Sequence, residues 1–371
     1  MTIKTLSIQG YRSIQNMRIT MDNINVIVGA NGCGKSNLYK AVHLIAKAIN
    51  GELAETLALE GGMPSILWAG KKKQVTQSKP PVRLILTIKT DDYNYEIACG
   101  LPKPSISMFT LDPEVKTEYV WLGETRRPGT TLIERQGPSA WITNQDGQRI
   151  PYPVGLSQSE SVLSQLQDPH LYPELFALSK EIKKWRFYHH FRTDLESPIR
   201  NPQIGTRTEV LSNDGYNLAA ALQTIIEIGN HELLAESINR AFPGSKLIIN
   251  VDSKTRFDIQ LQMPGILRPL EARELSDGTL RYLCLIAALL SPRPATLLAL
   301  NEPEMSLHPE LMEPLAELIA VASQYSQLWI TTHSQDLAMK IEQLSGNKSI
   351  NLIRTEAGTQ IDGLNPWEQL L

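Results

Sequence analysis

An α/β fold, β-rich towards its N-terminus and doubly wound towards its C-terminus, is predicted for this 371-residue chain on three observations. An apolar run at residues 295–300 and a second buried-strand pattern at 327–332 alternate with helical patterns, which is the rhythm of a parallel sheet covered by helices. A glycine-rich turn, Gly29-Ala-Asn-Gly-Cys-Gly-Lys35-Ser36, separates the short apolar run at 25–28 from a helical stretch at 37–48. Strand-like alternation punctuated by turn residues occupies much of the first 150 positions.

The elements follow in order. Residues 3–21 read as a hairpin, with Tyr11-Arg12-Ser13 at its bend, feeding the strand before the glycine-rich turn. Residues 61–73 are a glycine-containing, basic connection ending in Lys71-Lys72-Lys73. Two period-two strands follow at 82–100 around a turn at 91–94, and shorter strands continue to about residue 150. From 157 to 241 the pattern turns helical, with Leu218, Leu222, Ile225 and Ile226 marking one apolar face. Pro243-Gly244 closes that stretch and 246–263 returns two strands. From Ser276 the order is helix (280–290), strand, helix (310–322), strand, helix (336–344), then two short strands to Leu364. Three parts are expected: 1–156, 157–245 (mainly helical, inserted) and 246–371. Sustained heptads are missing, so no long coiled coil is expected.

Composition narrows the function classes. A net charge of −3 and 42% hydrophobic residues describe an ordinary protein with a proper core, without a general basic coat for nucleic acid. The N-terminus lacks a signal pattern, and the longest apolar stretch, 283–290, is too short to span a bilayer. Cys33, Cys99 and Cys284 are scattered and odd in number, which implies neither a disulfide framework nor a zinc site. A cytoplasmic protein with no membrane contact is expected. DNA contact would need a local patch, and residues 180–207 offer one. Lys180, Lys183, Lys184, Arg186, Arg192, Arg200 and Arg207 outnumber Glu181, Asp194 and Glu196 there by four. Trp185, Phe187, Tyr188 and Phe191 are interleaved, which suits phosphate neutralisation with base stacking. The same alternation describes a half-buried strand with a solvated basic face. His189-His190 is not read as a metal pair, since neighbours on a strand face opposite ways.

The chemistry concentrates at both ends. The turn completes G-x-x-x-x-G-K-[ST], whose backbone N–H groups cradle a polyphosphate at the start of a helix. Gly29, Asn31, Gly32, Gly34, Lys35, Ser36 and Asn37 form the candidate nucleotide-binding set. Lys35 would reach the outer phosphates and the Ser36 hydroxyl would hold magnesium. Near the C-terminus, Ser276-Asp277-Gly278 opens an apolar helix and offers a hydroxyl and free N–H groups to an anion. Asn301-Glu302-Pro303-Glu304 and His333-Ser334 each end a buried strand, where ligands collect in open α/β sheets. Glu302 is the candidate general base, and His333 the candidate donor to a γ-phosphate.

In this order, these segments resemble the ABC-type ATPases of the RecF, SMC and DNA-repair branch. Residues 274–294, 300–309 and Trp185-Arg-Phe-Tyr-His-His-Phe-Arg-Thr-Asp194 further resemble a group of stand-alone bacterial ATPases of about this length. The resemblance implies a P-loop NTPase of ABC/SMC-head type, with a β-rich N-terminal lobe, an inserted helical lobe and a doubly wound α/β C-terminal lobe. It implies ATP and Mg2+ as cofactors. It also implies an ATP-dependent, head-to-tail homodimer, in which Lys35, Ser36, Glu302 and His333 of one chain face Ser276 and Gly278 of another. Tyr11-Arg12-Ser13 matches an aromatic-Arg-Ser element of that branch, making Arg12 either a phosphate contact or a solvated turn residue. A metal-sensing glutamine is implied, with Gln74 and Gln77 among the candidates. Two departures stand out. Asn301 occupies the usual Asp position of Walker B, which predicts reduced magnesium affinity or slow turnover, with Glu304 as a partial substitute. Asp277 occupies a position usually Gly, so its side chain is expected to point away and cap its helix. The expected function is a slow ATPase acting on DNA in repair or genome maintenance. The alternatives are a regulatory scaffold holding an effector nuclease or toxin in a defence system, and a nucleotide-gated dimerisation switch with little hydrolysis.

Overall fold

The computed structural model describes residues 1–70, 83–104, 106–144 and 147–364. Lys71, Lys72, Lys73, Gln74 and Gln77 lie outside them. By contacts the chain divides into two compact units, Met1–Asp22 with Gly29–Trp185 and Ile350–Leu371, and Asn23–Val28 with Arg186–Ser349. The stretch expected as one inserted helical lobe, 157–245, is therefore shared between the two. It also contains strands, at Arg186–Tyr188 and Gln203–Ile204.

The first unit is built on an eight-stranded antiparallel sheet. Its spatial order is Ile14–Thr20, Ile3–Tyr11, Leu84–Thr90, Asn94–Gly100, Glu114–Trp121, Thr131–Gln136, Ser139–Thr143 and Arg149–Pro151. The expected hairpins at 3–21 and 82–100 are its first four strands. The helix Lys35–Ile49 packs on Ile3–Tyr11 and on the helices Leu53–Leu59, Val162–Gln165 and Pro173–Ile182. It buries Leu38, Val42, Ile45 and Ile49, the 3.6-residue stripe of an amphipathic helix. A fully buried ion pair ties sheet to helix: Glu118 accepts from Arg135 Nη1 at 3.2 Å, Tyr95 Oη at 2.7 Å and the Val162 N–H at 2.8 Å. The C-terminal hairpin, Ile350–Thr355 with Gly358–Ile361, belongs to this unit.

The second unit holds four parallel strands in the order Arg186–Tyr188, Leu297–Asn301, Gln327–Thr331 and Ile24–Gly29, the last contributing all but its final residue. Leu297–Asn301 and Gln327–Thr331 are buried at every position, as a sheet covered on both faces requires. The helices Leu218–Ile228, His231–Ala241, Asp277–Leu289 and Met312–Ala322 share one apolar core with these strands. Leu218, Leu222 and Ile225 point into it, whereas Ile226, expected on the same face, is 38% exposed. A small antiparallel sheet of Gln203–Ile204, Arg256–Gln262 and Lys246–Val251 completes the unit.

Candidate functional site

In the first unit, the glycine-rich turn feeds the helix Lys35–Ile49 through Gly34, whose φ is 115°. A Cβ there would collide with Thr359 Oγ1, so only glycine fits both the angle and the space. Lys35 is buried, and its Nζ donates to Gly29 O at 2.5 Å and Ala30 O at 3.3 Å, closing the loop on itself. Asn31, Gly32 and Ser36 are exposed. Asn37 is turned elsewhere, its Nδ2 donating to Ser13 Oγ at 2.8 Å.

Arg12 has left-handed backbone, φ 46°, at the hairpin bend. Its guanidinium pairs with Glu60, which also takes Lys40 Nζ at 3.0 Å. Neither the phosphate-contact reading nor the solvated-turn reading of Arg12 anticipated this carboxylate partner.

In the second unit, three chemistry-bearing segments meet at the carboxyl edge of the parallel sheet. The Thr331 carbonyl accepts from the Glu302 N–H at 2.7 Å, and Ile27 O accepts from the Thr332 N–H at 3.0 Å, so the ladder runs one residue past each strand. Glu302 then bends sharply, with φ 47°, a region that a side-chain-bearing residue enters at a cost of about 1–2 kcal/mol. Arg281, buried on the helix Asp277–Leu289, pins the Glu302 carbonyl with Nη2 at 3.0 Å. His333 Nδ1 stands 3.7 Å from Glu302 Oε1 and 3.5 Å from Glu304 Oε1. The imidazole is half exposed and the Glu302 side chain 23% exposed, so both can meet a ligand from solvent.

Asn301 is buried, and its Oδ1 accepts from Thr331 Oγ1 at 2.7 Å. That bond fixes the amide, and an oxygen accepting one hydrogen bond keeps a lone pair for a hydrated cation. Glu304 turns inward instead. Its Oε1 accepts from Thr332 Oγ1 at 2.6 Å and from the N–H groups of His333 at 3.1 Å and Ser334 at 3.3 Å. The expected role of Glu304 as a partial substitute at the metal is thus replaced, in this geometry, by support of the His333 turn.

Ser276 caps the helix Asp277–Leu289, its Oγ accepting from the Thr279 N–H at 3.1 Å. Asp277 does not cap, contrary to expectation; its carboxylate points away to Arg200. Arg200 is buried and also donates to Leu275 O at 2.8 Å, so this arginine holds the turn from below. Gly278 lies so close to Ser306 that a Cβ would stand 2.7 Å from its carbonyl oxygen. Ser276, Gly278 and Thr279 line an open pocket of about 430 Å3 with Ser306, His308 and Glu310.

The basic segment reads differently in three dimensions. Trp185, Phe187, Tyr188 and Phe191 are all buried, so base stacking on these rings is not available. Lys184 pairs with Glu181 at 2.5 Å, Arg192 with Asp194 at 3.0 Å and Arg207 with Glu227 at 3.8 Å. The half-buried strand, Arg186–Tyr188, is the form this alternation takes.

Sequence reasoning passed over Arg281, Thr331, Thr332 and Glu60. The signals were faint: a lone arginine inside an apolar helix, and two threonines after the apolar centre, Leu-Trp-Ile, of a strand.

The family model described as "AAA domain, putative AbiEii toxin, Type IV TA system" matches residues 24–339. No curated protein matches the chain at a significant level. Among solved structures, an SMC head bound to the C-terminal winged-helix domain of ScpA is similar at 16% identity and a TM-score of 0.52, covering 99% of each chain. A second SMC head, with an extended coiled coil and bound to the C-terminal domain of ScpA, derives from Pyrococcus furiosus. It is similar at 15% identity and a TM-score of 0.50, covering 100% of this chain and 98% of that one. At these identities the likeness establishes a shared fold, the P-loop NTPase fold of SMC heads.

Proposed function

This chain belongs to the AAA-domain family whose description includes the AbiEii toxin of type IV toxin–antitoxin systems, and on that premise we propose that it is a slow, magnesium-dependent ATPase whose nucleotide state is passed to a partner protein. The observation that carries the reading is Glu302, held in left-handed backbone at a strand end with His333 beside it. Strain of this kind persists only where the surroundings enforce it, and here Arg281 and the Thr331 carbonyl both do.

The family membership, and not a contact in the structure, is the ground on which we assign the phosphate loop and Glu302 to one nucleotide. On ATP binding, Lys35 exchanges the carbonyls of Gly29 and Ala30 for phosphate oxygens. N–H groups of the turn at 29–34 would face the same charge, the Cys33 N–H excepted while it donates to Ala30 O at 3.2 Å. The exposed Ser36 hydroxyl and the Asn301 amide oxygen are each an oxygen donor of the kind that a hard, partly hydrated cation takes. Bound there, magnesium would neutralise charge on the phosphates. Glu302 takes a proton from the attacking water, and His333 donates to the γ-phosphate. Asn301 would bring no charge to the metal, and slow turnover is expected for that reason.

Ser276 and Gly278 are assigned to the nucleotide of a second copy, in an ATP-dependent head-to-tail homodimer. The open pocket beside them would receive it. No helix among the described residues is long and apolar enough to cross a membrane.

The partner reading displaces DNA as the first choice. Burial of the four rings removes the stacking surface that favoured DNA, while the family description points to an effector system. Phosphate release from ATP, with and without single- and double-stranded DNA, tests both. Hydrolysis that needs Lys35 and Glu302 and ignores DNA is expected. Strong stimulation by DNA would return the protein to genome maintenance. Tight ATP binding with no hydrolysis would make it a dimerisation switch.

A further inference from the structure

Four residues from three distant parts of the first unit form one line of hydrogen bonds that ends on the phosphate loop. Thr359, in the C-terminal hairpin, donates from Oγ1 to the Cys33 carbonyl at 2.7 Å. Ser13 Oγ lies 2.8 Å from Thr359 Oγ1, and Asn37 Nδ2 donates to Ser13 Oγ at 2.8 Å. The order of donors follows from valence. A carbonyl only accepts, so the single Thr359 proton goes to Cys33. Ser13 must then give its own proton to Thr359 and accept from the Asn37 amide. The Thr359 N–H also donates to Ser13 O at 2.7 Å, which fixes the hairpin against the bend carrying Arg12. Thr359 is 1% exposed and Cys33 3%, so water does not compete for these bonds.

The consequence lies in the peptide that joins Cys33 to Gly34. In a trans peptide the carbonyl and the following N–H point in opposite directions. Holding the Cys33 carbonyl against the hairpin therefore turns the Gly34 N–H away from it, as a donor free to face an anion. Without the clasp this peptide can flip, and a carbonyl oxygen would then oppose the phosphate. Gly34 accommodates the arrangement because a Cβ there would strike Thr359.

We propose that Thr359, relayed through Ser13, is a positioning residue that sets the phosphate loop in its anion-binding form, so that the C-terminal hairpin controls nucleotide affinity. Both residues lie outside the span of the family match, 24–339. The proposal rests on the reading that this loop binds ATP.

The test is equilibrium binding of a fluorescent ATP analogue, with magnesium, to the full chain and its variants. Thr359→Val is nearly isosteric and removes the hydroxyl; binding weaker by about tenfold is expected, the worth of one well-placed hydrogen bond. Thr359→Ser restores the donor and is expected to bind within about threefold of the parent. In steady-state hydrolysis the loss appears in KM, with kcat nearly unchanged. Thr359→Val binding as tightly as the parent, while Lys35→Ala does not bind, overturns the clasp alone. Lys35→Ala binding as tightly as the parent overturns the ATP reading instead. Should Thr359→Val fail to fold, as judged by its circular dichroism melt, Thr359→Ala beside Thr359→Ser decides on the same criterion.

Discussion

Thr332 Oγ1 donates to Glu304 Oε1 across 2.6 Å, joining the ends of two neighbouring parallel strands through a buried carboxylate. The same oxygen takes the His333 and Ser334 N–H groups, which precede the helix Gln335–Ser345. Glu304→Ala would leave the Thr332 hydroxyl and the His333 N–H without an acceptor, while the Ser334 N–H keeps Thr332 Oγ1 at 3.0 Å, and a loss of about 2–3 kcal/mol in urea unfolding is expected. Glu304→Gln keeps an oxygen and should lie within about 1 kcal/mol of the parent. Equal losses in both variants would mean that charge, and not acceptance of these bonds, is what Glu304 contributes.

Glu302 gives a sharper contrast, because its φ of 47° penalises any side chain. Glu302→Gly is expected to be more stable than Glu302→Ala by about 1 kcal/mol, measured by thermal unfolding. Both should lose turnover. Glu302→Gln should lower phosphate release by about a hundredfold or more while binding nucleotide normally. A turnover loss below about tenfold would remove Glu302 from the role of base.

What the sequence made legible follows from how local each signal is. The turn from Gly29 to Ser36, the hairpin bend at Arg12 and the strand ends at Asn301 and His333 are contiguous patterns whose chemistry and periodicity coincide. The alternation of strand and helix after residue 276 is legible in the same way, whereas the spatial order of Ile24–Gly29, Gln327–Thr331 and Leu297–Asn301 has no local signal. The clasp of Ser13 on Thr359 joins residues 346 positions apart, and two hydroxyls carry no pattern that pairs them. Alternation at Trp185–Phe191 fitted an exposed stacking surface and a buried strand equally, and only burial separates the two. Ile226 shows the same limit on a helix, where a stripe one residue too wide includes a position that faces solvent.

Glu274, just before the Ser276 turn, is exposed, and two hydrogen bonds from Arg268, at 2.6 and 2.7 Å, hold its carboxyl down to about 2. The Glu271 N–H adds a third, at 2.9 Å. A depressed carboxylate stabilises the fold above its ordinary range and loses that contribution as the pH falls towards about 2. Carbon-detected NMR titration should find the Glu274 midpoint near that value, and Arg268→Ala should return it towards the ordinary range. Because the pair is exposed, high salt should shrink the shift. An Arg268→Ala variant with an unmoved midpoint would assign the effect to the backbone bond.

Arg12 and Glu60 pose the question of whether the guanidinium is held in reserve. Both side chains are about one-fifth exposed, and Lys40 shares the carboxylate, so the pair is worth about 1 kcal/mol or less. If Arg12 leaves Glu60 for a phosphate oxygen, that attraction opposes nucleotide binding. Glu60→Gln is then expected to tighten binding of the ATP analogue by about threefold at low ionic strength, with the gain fading in 0.5 M salt. The gain should vanish when Arg12→Ala is added, because on this reading the carboxylate opposes binding by holding the arginine. Tighter binding that survives Arg12→Ala would instead point to Lys40. No change in any of the three proteins would confine Arg12 to bracing the hairpin bend, where its N–H already donates to Ile66 O and its carbonyl already accepts from Ala69.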